Sequence, residues 1–211
     1  MTRVLLVDDH AVVRTGFRLL LQARPDIAVA GEADCGETAC QRYLELSPDV
    51  VVMDIAMPGM GGIEALRRIR AHDPQARVLA LSAHDDPMHA RRALREGALG
   101  FLSKRSAPEA LLEAVAAVGA GQRYIDPRVA QRLALDDIEG TGSSPLKRLS
   151  EREFDVFLRL ARGASVQRIA DDLRLSASTV GTHLYNVKQK LGVSNQSELT
   201  LIAIRHGLIE A

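Results

Sequence analysis

The chain has 211 residues, 46% of them hydrophobic, which is enough for one large domain or two modest ones with packed cores. Its 27 basic and 27 acidic residues cancel, excluding a chain that is basic throughout, and its two cysteines, Cys35 and Cys40, exclude a disulfide framework. No apolar run reaches the roughly 18 residues of a membrane span, and the opening "MTRVLLVDDH" turns acidic before an apolar leader could form, so we expect a cytoplasmic protein with no membrane partner.

Five short runs punctuate the first half: "VLLVDD" at 4–9, "IAVAGEA" at 27–33, "DVVVMD" at 49–54, "RVLALSA" at 77–83 and "GFLSK" at 100–104. They are rich in Val, Leu and Ile without polar alternation, which suits strands buried on both faces. Helical patterns fill the gaps, in "HAVVRTGFRLLLQAR", "GETACQRYLEL", "GIEALRRIRAHDP", "DPMHARRALREGA" and "PEALLEAVAAVGAG". Pro74 stops the third of these, while Pro87 and Gly97 suit the first turn and the C-terminal cap of the fourth. Five strand–helix repeats with right-handed crossovers predict a parallel, doubly wound α/β sheet.

The rhythm breaks after Gly121. "QRYIDPRVAQRLAL" predicts a short helical extension, and "DDIEGTGSSPLK" (136–147), acidic and then rich in Gly, Ser and Pro, predicts a linker. From Leu149 the pattern is purely helical. Ser150 followed by Glu153 reads as a capping box, and "SVQRIADDL", "RLSA" and "STVGTHLYNVKQKLG" read as helix, tight turn, helix. A fourth helix follows in "QSELTLIAIRHGL". Charge separates as well: residues 1–122 carry 14 basic and 16 acidic residues, residues 147–211 carry 10 and 7. The basic end is where a nucleic-acid partner would sit.

In a doubly wound sheet, ligands gather at the carboxyl ends of the strands, where the strand order reverses. Asp8 and Asp9 end the first run and Asp54 the third. If those strands are neighbours, three carboxylates share one crevice and repel unless a hard cation such as Mg²⁺ joins them. Ser82 ends the fourth run with a hydroxyl, and Lys104 ends the fifth with an ammonium. That set suits a phosphoryl group on Asp54, with Lys104 and the cation spreading its charge and Ser82 donating to an oxygen. Cys35 and Cys40 read as small apolar fillers, and His10 as the start of the first helix.

"VDDH", "MDIAMPGMGG", "LSAH" and "GFLSK", in that order, resemble a bacterial response-regulator receiver domain over residues 1–121. The resemblance implies a flavodoxin-like five-stranded sheet in the order 2-1-3-4-5. It implies Asp54 as phosphoacceptor for a sensor histidine kinase. Asp8, Asp9 and Asp54 would hold Mg²⁺ with the backbone carbonyl of Ala56, while Ser82 and Phe101 would be the switch pair beside Lys104. One departure is Arg105, where many receivers carry a proline after the lysine. Aspartate-nucleophile phosphohydrolases instead carry an Asp-x-Asp pair on the first strand, so we expect no enzyme.

Residues 147–211 resemble a LuxR-type helix-turn-helix of the NarL/FixJ response-regulator family, joined through an extension and linker at 122–146. This small all-α module would bind double-stranded promoter DNA as a homodimer. Ser178 and Thr179 at the second helix's start would lie near phosphates, with Thr182, Tyr185, Asn186, Lys188 and Lys190 towards the major groove. Val180, Leu184, Val187 and Leu191 would face the core. Gly181 stands where family members commonly carry a DNA-contacting lysine. "GQRYIDPRVAQRLAL" and "ELTLIAIRHGLI" resemble the GacA/UvrY type within this family.

Overall fold

The apolar runs pair into one parallel sheet of β1 (Thr2–Val7), β2 (Ile27–Ala33), β3 (Val50–Asp54), β4 (Val78–Ser82), β5 (Gly100–Ser103) and β6 (Tyr124–Ile125). Their spatial order is β2-β1-β3-β4-β5-β6. This structure is a computed structural model and describes residues 1–83, 87–106, 108–138, 145–173, 175–206 and 208–209. The chain divides into two compact units, Met1–Ile138 and Glu139–Ala211. Part of the expected linker, 139–144, lies outside the described residues.

Helices α1 (Ala11–Gln22), α2 (Gly36–Leu46), α3 (Gly62–His72), α4 (Pro87–Arg95) and α5 (Pro108–Gly119) alternate with the strands. Strand side chains alternate faces, and here both faces are apolar. Leu5, Val7, Val51, Met53, Val78, Ala80 and Phe101 form one core with residues of α2, α3 and α4. Val4, Leu6, Val50, Val52, Leu79, Leu81 and Leu102 form the other, under Leu21 of α1 and Leu111, Ala114, Val115 and Val118 of α5. This burial explains the unbroken Val/Leu/Ile runs.

The expected order 2-1-3-4-5 is present, with a sixth strand added at the β5 edge. The residues expected to begin a helical extension open as β6, in which Tyr124 pairs with Gly100 and Ile125 with Phe101. Asp126 and Pro127 end β6 after two residues, because proline has no N–H for the ladder and suits a helix's first turn. The helix α6 then runs from Pro127 to Ile138 and buries Val129 in the first core.

The second unit has a 3-10 turn (Pro145–Arg148) followed by α7 (Glu151–Ala161), α8 (Val166–Leu173), α9 (Ala177–Leu191) and α10 (Gln196–Arg205). The capping box at α7 is complete: the Glu153 N–H donates to Ser150 Oγ (3.3 Å), and the Ser150 N–H donates to Glu153 Oε2 (2.6 Å). Phe154 and Phe157, 5.9 Å apart between ring centroids, anchor a core that includes Leu160, Ile169, Val180, Val187, Leu199 and Ala203.

Gly62 opens α3 under a tight constraint. A Cβ there would lie 2.0 Å from the Asp54 carbonyl oxygen and 2.7 Å from the Ile55 Cα, both backbone atoms that cannot swing aside. At Gly181, by contrast, a Cβ would meet nothing within 4 Å. Gly62→Ala is therefore expected to destabilise the first unit by about 1–3 kcal/mol, as overpacking does. Gly181→Ala should stabilise the second by about 0.5–1 kcal/mol through helix propensity. Urea unfolding followed separately for the two units tests both, and equal effects would contradict this account.

Candidate functional site

Strand register brings the acids together. Val7 pairs with Met53, so the next residues, Asp8 and Asp54, leave the sheet side by side. Asp54 pairs with Leu81, one residue before Ser82, and Ser82 pairs with Ser103, one residue before Lys104. The Lys104 N–H closes this end of the sheet by donating to the Ser82 carbonyl at 2.7 Å. The chain order reverses between β1 and β3, where a doubly wound sheet opens its crevice.

Asp54 is 2% exposed and Asp8 fully buried. The Lys104 ammonium bridges them, 2.6 Å from Asp54 Oδ2 and 2.5 Å from Asp8 Oδ2. Asp54 Oδ1 accepts the Ala56 N–H at 3.0 Å, and Asp8 Oδ1 accepts the His10 N–H at 2.9 Å. Burial pushes the Asp54 carboxyl above its ordinary range, against the opposing pull of Lys104 and the Ala56 N–H. Burial alone would lower the Lys104 ammonium, but Asp54 and Asp8 outweigh it and hold it above its ordinary value.

Ligand atoms of Asp8, Asp9, His10 and Asp54 lie within 4.8 Å of one another. Asp9 Oδ1 is buried without a hydrogen-bond donor and sits 3.0 Å from the His10 Nδ1. An orphaned carboxylate oxygen among other carboxylates is the donor set of a hard divalent cation. The Ser82 side chain is fully buried at the end of β4, and the Phe101 ring is fully buried in the core. Ala56 is half-buried in the loop beyond Asp54. No peptide bond among the described residues is cis, so the bond between Lys104 and Arg105 is trans.

Several supporting residues were not apparent from the sequence. Arg14 donates to the Asp8 carbonyl (2.6 Å) and to Glu32 Oε2 (2.9 Å), fixing the backbone of the acid pair. The loop after Asp54 is held from α2, where Glu37 Oε1 accepts the Met60 N–H (3.0 Å) and the Gly36 N–H donates to the Met60 carbonyl (3.2 Å). The only sequence signal was a glycine, Gly62, at a helix start where a better helix former would be expected.

In the second unit, Ser176 caps α9 by accepting the Thr179 N–H at 3.0 Å. Ser178, Thr179 and Thr182 are exposed, and Tyr185 is 63% exposed. Thr182 Oγ1 donates back to the Ser178 carbonyl (3.1 Å), and Asn186 is half-buried. Val180 and Val187 are buried, with Leu184 and Leu191 half-buried on the same stripe. The two lysines differ from the rest. The Lys188 ammonium donates to the Ser194 carbonyl (2.8 Å), and that of Lys190 to Glu153 Oε2 (2.5 Å). Lys190 thus ties the last turns of α9 to the first turn of α7. Burial alone would raise the Glu153 carboxyl, but Lys190 and Ser150 outweigh it and hold it below its ordinary value of 4.5.

Comparison with known proteins agrees with this division. Residues 4–116 match the family described as "Response regulator receiver domain", and residues 147–203 match "Bacterial regulatory proteins, luxR family". The chain is 41% identical to the response regulator GacA of Pseudomonas aeruginosa, over 100% of this chain and 99% of that protein. It is 42% identical to the response regulator UvrY of Escherichia coli K12, over 100% and 97%. Among solved structures, the RcsB response regulator of Salmonella typhimurium aligns at a TM-score of 0.62 with 28% identity, over 97% of this chain and 98% of that one. A response regulator RcsB–DNA complex aligns at 0.61 with 28% identity, over 96% and 98%.

A carboxyl whose folded pKa is depressed stabilises the fold above its unfolded pKa, and that contribution disappears as pH falls through the folded value. The Glu153 contribution should therefore be present above about pH 4.5 and lost on acidification. Glu153→Gln is expected to flatten this acid limb in the second unit's unfolding midpoint. An unchanged limb would mean that the Lys190 pair does not hold the helices together.

Proposed function

The chain belongs to the response regulators that join a receiver domain to a LuxR-type DNA-binding domain, and on this premise we propose that it is a transcription factor switched by phosphorylation of Asp54. The phosphodonor is a phosphohistidine on a sensor histidine kinase. The observation that carries this reading is the buried Asp54 carboxylate at the end of β3, 2.6 Å from the Lys104 ammonium. An Asp54 oxygen attacks phosphorus in line, the P–N bond breaks, and the histidine leaves. Lys104 turns from the carboxylates to the new phosphoryl oxygens, and Ser82 donates to one of them. The Phe101 ring passes that movement on to the core it shares with α4 and Val129 of α6.

Receiver domains bind Mg²⁺ at such an acidic group. Here Asp8, Asp9, Asp54 and the carbonyl of Ala56 would hold it, and when bound it neutralises the charge spread over the phosphoryl oxygens. His10, beside this set, stays the residue that begins α1 in our reading. Residues 1–121 act as receiver, 122–146 as extension and linker, and 147–211 as DNA-binding domain, in the cytoplasm.

The second unit binds promoter duplexes through α9, as a homodimer on paired half-sites. Support comes from the exposed face of Ser178, Thr179, Thr182 and Tyr185, and from the DNA complex of the related RcsB. Lys188 and Lys190 serve DNA less directly, since their ammoniums already bond to the Ser194 carbonyl and to Glu153.

Incubation with acetyl phosphate and Mg²⁺ should add one phosphoryl mass to the wild type and none to Asp54→Asn. Equal labelling of the two would sink the assignment of Asp54. On DNA, Gly181→Lys places a cation where a side chain has open space. It is expected to steepen the slope of log K against log salt by about 0.9, the value for one added phosphate contact. An unchanged slope would mean that this turn of α9 faces away from the backbone.

A further inference from the structure

Beyond this pocket, one buried carboxylate lies off the path described so far. Asp126, between β6 and α6, is 3% exposed. Its Oδ1 accepts the Arg128 N–H at 2.9 Å and so caps the first turn of α6, and its Oδ2 accepts the Ser106 hydroxyl. Ser106 lies two residues after Lys104, in a turn closed by its own N–H donating to the Ser103 carbonyl at 3.0 Å. The Arg105 N–H donates to Ser103 Oγ in the same turn. These bonds close residues 103–106 into one turn that carries both Lys104 and Ser106.

The rest of the attachment of α6 runs through β6, through Val129 and Leu133 on the first core, and through packing against α4. β6 has only two residues on the edge of β5, joined through Tyr124 N–H to the Leu99 carbonyl (3.3 Å) and Asp126 N–H to the Phe101 carbonyl (2.9 Å). Val129 buries one side of α6 in the core that holds Phe101. From there α6 runs to Ile138, the last residue of the first unit. It is therefore the described element through which the chain leaves the receiver.

We infer that Ser106 and Asp126 form a positioning pair that ties the Lys104 turn to the start of α6, so that modification of Asp54 is felt at the exit helix. This rests on the phosphoacceptor reading given above. An added phosphoryl group draws the Lys104 ammonium off Asp8. The turn follows its lysine, and the Ser106 hydroxyl then pulls on, or releases, the Asp126 carboxylate that caps α6. Phosphorylation thereby changes how firmly the first turns of α6 are held. Neither Ser106 nor Asp126 touches the reacting atoms, so phosphoryl transfer itself should survive their loss.

The test is hydrogen–deuterium exchange on the full chain, with and without acetyl phosphate and Mg²⁺, read on peptides covering 124–135. Exchange reports how readily each segment opens. Wild type should show a several-fold change in exchange there on phosphorylation. Ser106→Ala should take up phosphoryl mass as wild type does and lose that change, while Ser106→Thr, which keeps the hydroxyl, should restore it. Asp126→Ser keeps a capping oxygen for α6 but is too short to reach Ser106, and should behave like Ser106→Ala. If Ser106→Ala and Asp126→Ser are phosphorylated and still show the wild-type change, the positioning role is overturned and the Asp54 reading stands. If wild type gains no phosphoryl mass, both fall together.

Discussion

The Lys104 ammonium, shared between Asp8 and Asp54, is the interaction on which the charge balance of the pocket depends. Two carboxylates this close and this buried would otherwise repel, and at least one would be forced to take a proton. Lys104 reaches both because β5 ends one residue before it, in register with Ser82 at the end of β4, and the residue before Ser82, Leu81, pairs with Asp54. The pocket is thus a consequence of strand length. Lengthening β1 or β3 by one residue would carry its acid to the opposite face of the sheet, since side chains alternate along a strand.

Much of this was legible in the chain itself. Runs such as "VVVMD" and "VLALS" lack polar alternation because both faces of the sheet are covered, and each polar residue that ends a run marks where the apolar core gives way to the buried polar pocket. Ser150 and Glu153 announced the start of α7 because a capping box needs only local spacing. What escaped was non-local. Nothing near Arg14 says that it meets Asp8 and Glu32, and nothing near Ser106 says that it meets Asp126, twenty residues on. The strand β6 escaped for another reason. Two residues are too few to show a period, and the following Pro127 favours the helix that was expected over the strand that precedes it.

The helix α9 shows a similar division between local and distant information. The exposure of Ser178, Thr182 and Tyr185 follows from helical spacing once Val180 and Val187 are set inward. The lysines of the last turns looked equally available from spacing alone, yet Lys190 is drawn to Glu153 and Lys188 to the Ser194 carbonyl. A buried carboxylate competes strongly for a nearby ammonium, because leaving it unpaired costs more than an exposed lysine gains from water. The cations at the end of α9 therefore bond within the unit, while the hydroxyls of its first turns and Tyr185 at its middle stay exposed.

For the phosphorylation proposed at Asp54, charge counting separates two states of the pocket. With all three carboxylates ionised, Asp8, Asp9 and Asp54 against Lys104 leave two negative charges, which is what one divalent cation cancels. Replacing the Asp54 carboxylate by an acyl phosphate exchanges about one negative charge for up to about two, and moves them outward from the strand end. The same lysine then has a stronger and more distant partner than Asp8. Because Asp8 keeps the His10 N–H and its carbonyl keeps Arg14, it can lose the lysine without losing its place. The backbone around the acids is therefore held by contacts that do not involve Lys104, and the lysine is the member free to move. The proposed switch needs a mobile charge beside acids that keep their place, which is the arrangement of these contacts.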